Sequence, residues 1–192
     1  MLFRSKDFSK RDYPLTEDEA KVWGFFFGDG SAGYYKCKSG LKHSWALNNN
    51  NIERLNKYKE ILERIEPVKF KILDTLKSSG VYKLVPFGSI KYMVDKYRTL
   101  FYNVVDANSD ENKYKIIPSS ILNASISIRK AFFEGYYDAD GTKTDKRNYN
   151  KNPSFATKGK ISAQCLYYLT KSIGFDMYLN LSNDCKKYNI FW

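Results

Sequence analysis

Two acidic residues, Asp29 and Asp140, each close one copy of a short repeated pattern. The first copy reads Val22-Trp23-Gly24-Phe25-Phe26-Phe27-Gly28-Asp29-Gly30, the second Phe133-Glu134-Gly135-Tyr136-Tyr137-Asp138-Ala139-Asp140-Gly141. Two carboxylates set side by side repel each other and attract a cation, and the negative ends of helix dipoles strengthen that attraction. The chemistry this suits is that of a divalent cation acting on phosphate. Oxygen donors of this kind prefer Mg2+, with Mn2+ able to substitute, and the carbonyls of Gly28 and Ala139 are further candidate ligands.

For this chemistry, something must bring the two acids together. Each copy is an apolar helical run in which small residues recur four apart, Gly24 with Gly28 and Gly135 with Ala139. Residues at that spacing share a helix face, and small side chains there let two helix backbones approach closely. The copies stand 111 positions apart (140 − 29), as an internal repeat requires. Asp138-Ala139-Asp140-Gly141 also opens like a calcium loop, but Lys143 and Tyr149 stand where that loop needs Gly and Glu, so we reject it. Asp138 either binds metal or serves locally at the helix end.

Thr16-Glu17-Asp18-Glu19 forms a capping box that starts the first motif helix. A hairpin follows over 34–47, then a polar break at Asn48–Asn51, a helix ending before Pro67 and two strands about Ser78-Ser79-Gly80. A further helix covers Ile90 to Phe101, and 104–112 reads as a connecting loop. After the second motif the order repeats. A hairpin joins 142–149 to 154–158, a helix ends at Gly174, and strands cover 175–181 and 187–192. The expectation is an α+β fold of two pseudo-symmetric αββαββ halves, 1–112 with an N-terminal arm and a shorter 113–192, with antiparallel sheets each polar on one face.

Composition narrows the function. There are 32 Lys+Arg against 21 Asp+Glu, a formal net charge of +11, which favours a polyanionic partner. His43 is the only histidine and reads as a hairpin surface or groove residue rather than a ligand; three scattered cysteines form no C-x-x-C pair. Zinc sites, disulfide frameworks and hydrolases built on a His base all fit poorly. Apolar runs are too short to span a bilayer, and no signal peptide opens the chain, so a soluble, intracellular protein without membrane partners is expected.

The paired motifs resemble those of LAGLIDADG homing endonucleases with both motifs on one chain, most similar to endonuclease domains in inteins of viral family-B DNA polymerases. The resemblance runs from about Tyr13 to the end, strong in Glu134–Gly141 and looser in the first motif, where Phe27 stands in for a frequent acid. It implies that Asp29 and Asp140 bind Mg2+ and are catalytic. It further implies that two sheets form a saddle in the DNA major groove around the packed motif helices. A Lys-x-Ile-Pro element of the family maps onto Lys115-Ile116-Ile117-Pro118, which makes Lys115 a catalytic candidate, or else a phosphate-positioning lysine. Lys143, three places after Asp140, matches a lysine of some single-chain members.

Base reading falls to polar strand faces, where Lys contacts guanine, Asn contacts adenine, and many side chains touch only phosphate. The candidates are Lys36, Lys38, Lys42, Ser44, Lys69 and Lys71 in the first half. In the second they are Thr144, Lys146, Lys158, Tyr178, Asn180, Lys187 and Asn189. The function expected is a monomeric, metal-dependent endonuclease making a double-strand break in a long, pseudo-palindromic DNA target. The alternative is a cleavage-deficient DNA-binding relative or an RNA-splicing maturase. Met1-Leu2-Phe3 and Asn189–Trp192 lack the termini of an active intein, so a freestanding enzyme, a remnant or an excised domain is expected.

Overall fold

The computed structural model describes residues 14–88, 90–102, 114–141, 154–182 and 187–191. The first part runs α1 (Glu17–Asp29), β1 (Gly30–Cys37), β2 (Gly40–Asn49), α2 (Ile52–Ile65), β3 (Lys69–Thr75), the helical turn α3 (Leu76–Ser79), β4 (Val81–Phe87) and α4 (Lys91–Phe101). The second runs α5 (Ser119–Leu122), α6 (Ile126–Asp140), β5 (Ser154–Thr157), α7 (Lys160–Ser172), β6 (Tyr178–Leu181) and β7 (Tyr188–Phe191). Two antiparallel sheets result, ordered β1-β2-β4-β3 and β5-β7-β6. The fold is α+β, as the alternation of elements predicts.

The local chemistry explains where the elements begin. The Thr16 hydroxyl accepts from the Glu19 N–H at 3.2 Å, and the Glu19 carboxylate accepts from the Thr16 N–H at 3.3 Å, the capping box read from sequence. Asn51 starts α2 by accepting from the Arg54 N–H at 3.0 Å. Gly40 turns the β1–β2 hairpin with φ +106°, a conformation that a side chain would strain.

Between the sheets, α1 and α6 form the central seam. A Cβ on Gly24 would stand 1.8 Å from the Phe132 carbonyl oxygen, and one on Gly135 would stand 1.9 Å from that of Lys21. Phe132 and Lys21 are themselves 111 positions apart, so each glycine meets the repeat-equivalent carbonyl and the packing is two-fold. Contacts rise in number together along both helices, Gly24 with Phe132 and Gly28 with Ala139, so the helices run parallel and their carboxyl ends meet. Only glycine permits this approach, as the four-residue spacing predicts. Around the seam, Phe26 packs on Tyr97 and Phe101 of α4, and Phe25 on Tyr58 of α2 at 4.2 Å. Tyr136 meets Phe155 of the second sheet at 5.0 Å.

Three sequence expectations change. Asn48 and Asn49 are no break: they continue β2, paired with Lys83 and Tyr82 of β4. The hairpin is longer than expected, because Gly30 both caps α1 and begins β1. The strand expected over 175–181 is shortened to Tyr178–Leu181, and Met177 just before it is buried. The N-terminal arm through residue 13, the 104–112 loop and the 142–149 strand lie outside the described residues. No described helix is long and apolar enough to cross a membrane.

Candidate active site and nucleic-acid interface

Parallel packing of α1 and α6 brings Asp29 and Asp140 to the same end of the seam, where both helices present their negative dipole ends. The ends are closed by the Gly30 N–H to the Phe26 carbonyl and the Gly141 N–H to the Tyr137 carbonyl. Each carboxylate then opens into its own cavity. That of Asp140 is about 240 Å3, lined also by Gly28, Lys115, Tyr136, Lys158 and Ser162. That of Asp29 is about 210 Å3, lined by Asn48, Asn49, Asn50, Gly80, Val81 and Ala139. The arrangement is reciprocal: Gly28, beside Asp29 in sequence, lines the Asp140 cavity, and Ala139 lines that of Asp29.

The two surroundings differ chemically. Partial removal from water pushes the Asp140 carboxyl above the usual range, while the Tyr136 hydroxyl, donating at 3.5 Å, and the Lys115 charge oppose the shift. Asp29 sits in an amide cradle. Asn49 Nδ2 donates to its Oδ2 at 3.3 Å, and Asn48 Nδ2 to its backbone carbonyl at 2.8 Å. Sequence reading missed these two asparagines because it took them for a break in the chain; as strand residues directly after the Gly30–Leu47 pairing, they fall opposite the helix end.

Lys115 lies in the field of both acids, that of Asp29 the stronger. Its Nζ donates to the carbonyls of Phe26 at 2.7 Å, Gly28 at 3.0 Å and Gly30 at 2.7 Å, so all three of its protons are placed on the end of α1. Burial lowers its pKa from 10.5 to about 8, against the raising fields of Asp29 and Asp140. Its own segment is fixed by the Ile116 N–H on the Phe101 carbonyl at 2.8 Å and by the Ser162 hydroxyl on the Lys115 carbonyl. The lysine that the Ile-Pro pattern singles out is thus a clamp on the C-terminal turn that carries Asp29.

Asp138 is turned to local use. Its Oδ2 accepts from the Tyr58 hydroxyl at 2.8 Å and its carbonyl from Arg54, both on α2, and it lines neither cavity. No group of three or more His, Cys, Asp or Glu side chains is gathered among the described residues. Lys143, Thr144 and Lys146 lie outside the described residues.

Strand register sorts the remaining candidates by face, since side chains two apart point the same way. In the first sheet, Ala32, Trp45, Leu47, Phe70 and Leu84 are buried on the helix side. Lys42, Ser44, Lys69 and Lys71 have the opposite parity and share the open face. Lys36 pairs with Leu41 and has the parity of Ala32 and Tyr34, on the helix side, and Lys38 sits in the turn. His43 is likewise half-buried on the helix side, edge-on to Tyr34 at 5.3 Å. The open face also carries Tyr35, 51% exposed, and Lys83, neither singled out from sequence. Alternation about the buried Leu84 is the signal that finds Lys83.

In the second sheet, Tyr178, Asn180 and Asn189 share the face opposite buried Phe155 and Ile190. Lys187 is exposed just before β7. Lys158 belongs elsewhere: it lines the Asp140 cavity.

Comparison with known proteins agrees with this architecture. Residues 127–189 match the family described as LAGLIDADG-like domain. A DNA polymerase of Acanthamoeba polyphaga mimivirus is 52% identical over 170 residues, 88% of this chain, and the chain spans 9% of that polymerase's length. A mesophilic-variant structure of the homing endonuclease I-DmoI superposes with a TM-score of 0.65 at 15% identity, over 91% of this chain and 87% of that one. I-DmoI in complex with DNA and Mn gives 0.63 at 15%, over 91% and 88%. The homing endonuclease I-WcaI bound to its DNA recognition sequence gives 0.55 at 17%, over 93% and 76%. This chain therefore carries a LAGLIDADG-like domain, and its fold is that of the LAGLIDADG homing endonucleases.

Proposed function

We propose that this chain is a site-specific DNA endonuclease. It cuts both strands of a long, imperfectly symmetric duplex by metal-dependent phosphodiester hydrolysis, acting as a monomer whose halves, 1–112 and 113–192, each read one half-site. The observation that carries this reading is the reciprocal glycine packing that delivers one carboxylate into each of two adjacent cavities. Two reacting phosphates, one per strand, call for two such positions.

The donor set fits a hard divalent cation, Mg2+ or Mn2+. Asp29 with the Ala139 carbonyl, and Asp140 with the Gly28 carbonyl, offer oxygen ligands in two partly dry cavities. Such an ion, when bound, neutralises charge on the phosphate and acidifies water. The chain supplies the rest. Lys115 fixes the α1 terminus so that the Gly28 carbonyl and Asp29 keep their places. Lys158 puts a positive charge into the Asp140 cavity, where phosphate charge develops. Lys143 remains a catalytic candidate by family resemblance. Lys42, Ser44, Lys69, Lys71 and Lys83 on one open face, and Tyr178, Asn180, Asn189 and Lys187 on the other, hold the duplex.

The testing experiment incubates the protein with Mg2+ and a plasmid library of viral polymerase-gene fragments, then sequences new ends. Discrete paired ends at one sequence are expected. Binding without any new end, nicked or double, would leave a DNA-binding or RNA-splicing relative and overturn the nuclease reading.

A further inference from the structure

The internal repeat predicts which faces of the two motif helices are covered, and the two halves differ. On α1, the face carrying Glu19, Trp23 and Phe26 lies under α4. Trp23 meets Phe101 edge-on at 6.1 Å, and Phe26 meets Tyr97 at 4.6 Å and Phe101 at 4.9 Å. Lys96 of α4 pairs with Glu66 at 2.6 Å and lies in the field of Glu19.

A shift of 111 residues carries Glu19, Val22, Trp23 and Phe26 onto Lys130, Phe133, Glu134 and Tyr137 of α6. Among the described residues no helix lies over them. With Ile173 and Phe175 they line an open groove of about 340 Å3. Tyr137 is 44% exposed, whereas its equivalent Phe26 is fully buried. The floor is apolar and aromatic, and Phe133 packs on Phe175 at 5.0 Å. The rim has changed sign: Lys130 replaces Glu19 and makes no ion pair among the described residues, while Glu134 is held by Lys21 at 3.0 Å.

We propose that this groove docks an amphipathic helix of a partner polypeptide, seated on α6 as α4 is seated on α1. The bound helix presents aromatic residues four apart to Phe133, Tyr137 and Phe175. Opposite Lys130 it carries a carboxylate, where α4 carries Lys96. Complementarity, not mere greasiness, defines the partner: a helix with lysine at that place meets a like charge. None of the groove residues lines either carboxylate cavity, so the inference stands apart from the nuclease reading.

The probe is a fluorescein-labelled, stapled peptide with the sequence of residues 90–102 carrying Lys96→Glu, compared with the same peptide retaining lysine. Fluorescence anisotropy against the full chain should give saturable binding in the micromolar range, about tenfold weaker for the lysine peptide. Lys130→Glu in the protein should reverse that preference. Tyr137→Lys should weaken both peptides about tenfold while the protein still unfolds in one cooperative transition. No saturation by about 100 µM, equal binding to the Tyr137→Lys protein, or an unreversed preference in Lys130→Glu would overturn the proposal.

Discussion

Gly24→Ala tests the seam most directly, because the added methyl has no free volume. Its carbon would lie 1.8 Å from the Phe132 carbonyl oxygen and 2.8 Å from the Tyr136 nitrogen, both backbone atoms that no rotamer change can move. Reaching even 3.0 Å requires α1 and α6 to part by about 1.2 Å (3.0 − 1.8). Overpacking of this kind costs about 1–3 kcal/mol, and a backbone clash belongs at the upper end. Alanine returns about 1 kcal/mol in helix propensity, leaving a net loss of roughly 2 kcal/mol and a fall in Tm of about 4–8 °C. The effect on catalysis is larger. A displacement near 1 Å between reacting groups costs about 100-fold, so strand cleavage should drop at least that far while DNA affinity changes little. Gly135→Ala, meeting the Lys21 carbonyl at 1.9 Å, should behave alike, and Gly33→Ala, with nothing within 4 Å, is the stability control. Calorimetry and a plasmid linearisation time course read both quantities. Wild-type Tm and rate in Gly24→Ala would refute close packing as the device that places the acids.

Asp29→Asn and Asp140→Asn should each abolish double-strand cleavage and spare binding in a gel-shift titration; normal linearisation by either would reject the site assignment. Lys115→Met should slow cleavage more than it weakens binding, and the reverse would make the lysine a phosphate anchor. Lys115 also predicts a pH effect in metal-free buffer. Its folded pKa, about 8, lies below the unfolded 10.5, so between these values the unfolded chain binds more protons and wild-type stability rises with pH. Relative to Lys115→Met, wild type should gain on the order of 2 kcal/mol from pH 8 to 10.5 in urea titrations, and a flat difference would contradict the burial argument. Lys83→Ala should lower the salt slope of DNA binding by about 0.9, one phosphate contact, while Lys36→Ala should leave it unchanged. Equal slopes for both variants would undo the assignment of faces.

The repeat was legible because packing and chemistry are written in the same nine residues: small residues four apart set the approach, and the acid one place on inherits it. The capping box and the basic strands were legible for the same reason, each being a local pattern. What escaped was register. Lys36 and Lys42 look alike in sequence, and only the pairing of Lys36 with Leu41 and of Lys42 with Tyr35 assigns them to opposite sides of one sheet. Asn48 and Asn49 have low strand propensity and read as a break. Their place in β2 comes from pairing with Lys83 and Tyr82 of β4, and the bond each makes to Asp29 spans 19 and 20 residues, contacts that no local window contains. Lys115 was found by motif, but its threefold grip on α1 depends on a partner helix 85 to 89 residues away.

The symmetric seam carries asymmetric chemistry. Asp29 accepts from neutral amide donors, which fix its orientation, and lies with Asp140 in the field of Lys115. Lys115 acts on both acids, Asp29 first, whereas Lys158 lines only the Asp140 cavity of the two, where its charge competes with any cation for the carboxylate but also attracts phosphate. Lys115 further takes one lone pair of the Gly28 carbonyl at 3.0 Å, leaving that oxygen a single free site toward the Asp140 cavity. Of the two cavities, as the described residues line them, that of Asp140 therefore holds the additional positive charge, that of Lys158, which opposes a cation and attracts phosphate. Since the α1–α6 contact fixes both positions together, this difference cannot relax by moving one helix end without the other. The two positions are equal in geometry and unequal in electrostatics, and the inequality resides in the elements each half lays against the seam, not in the seam itself.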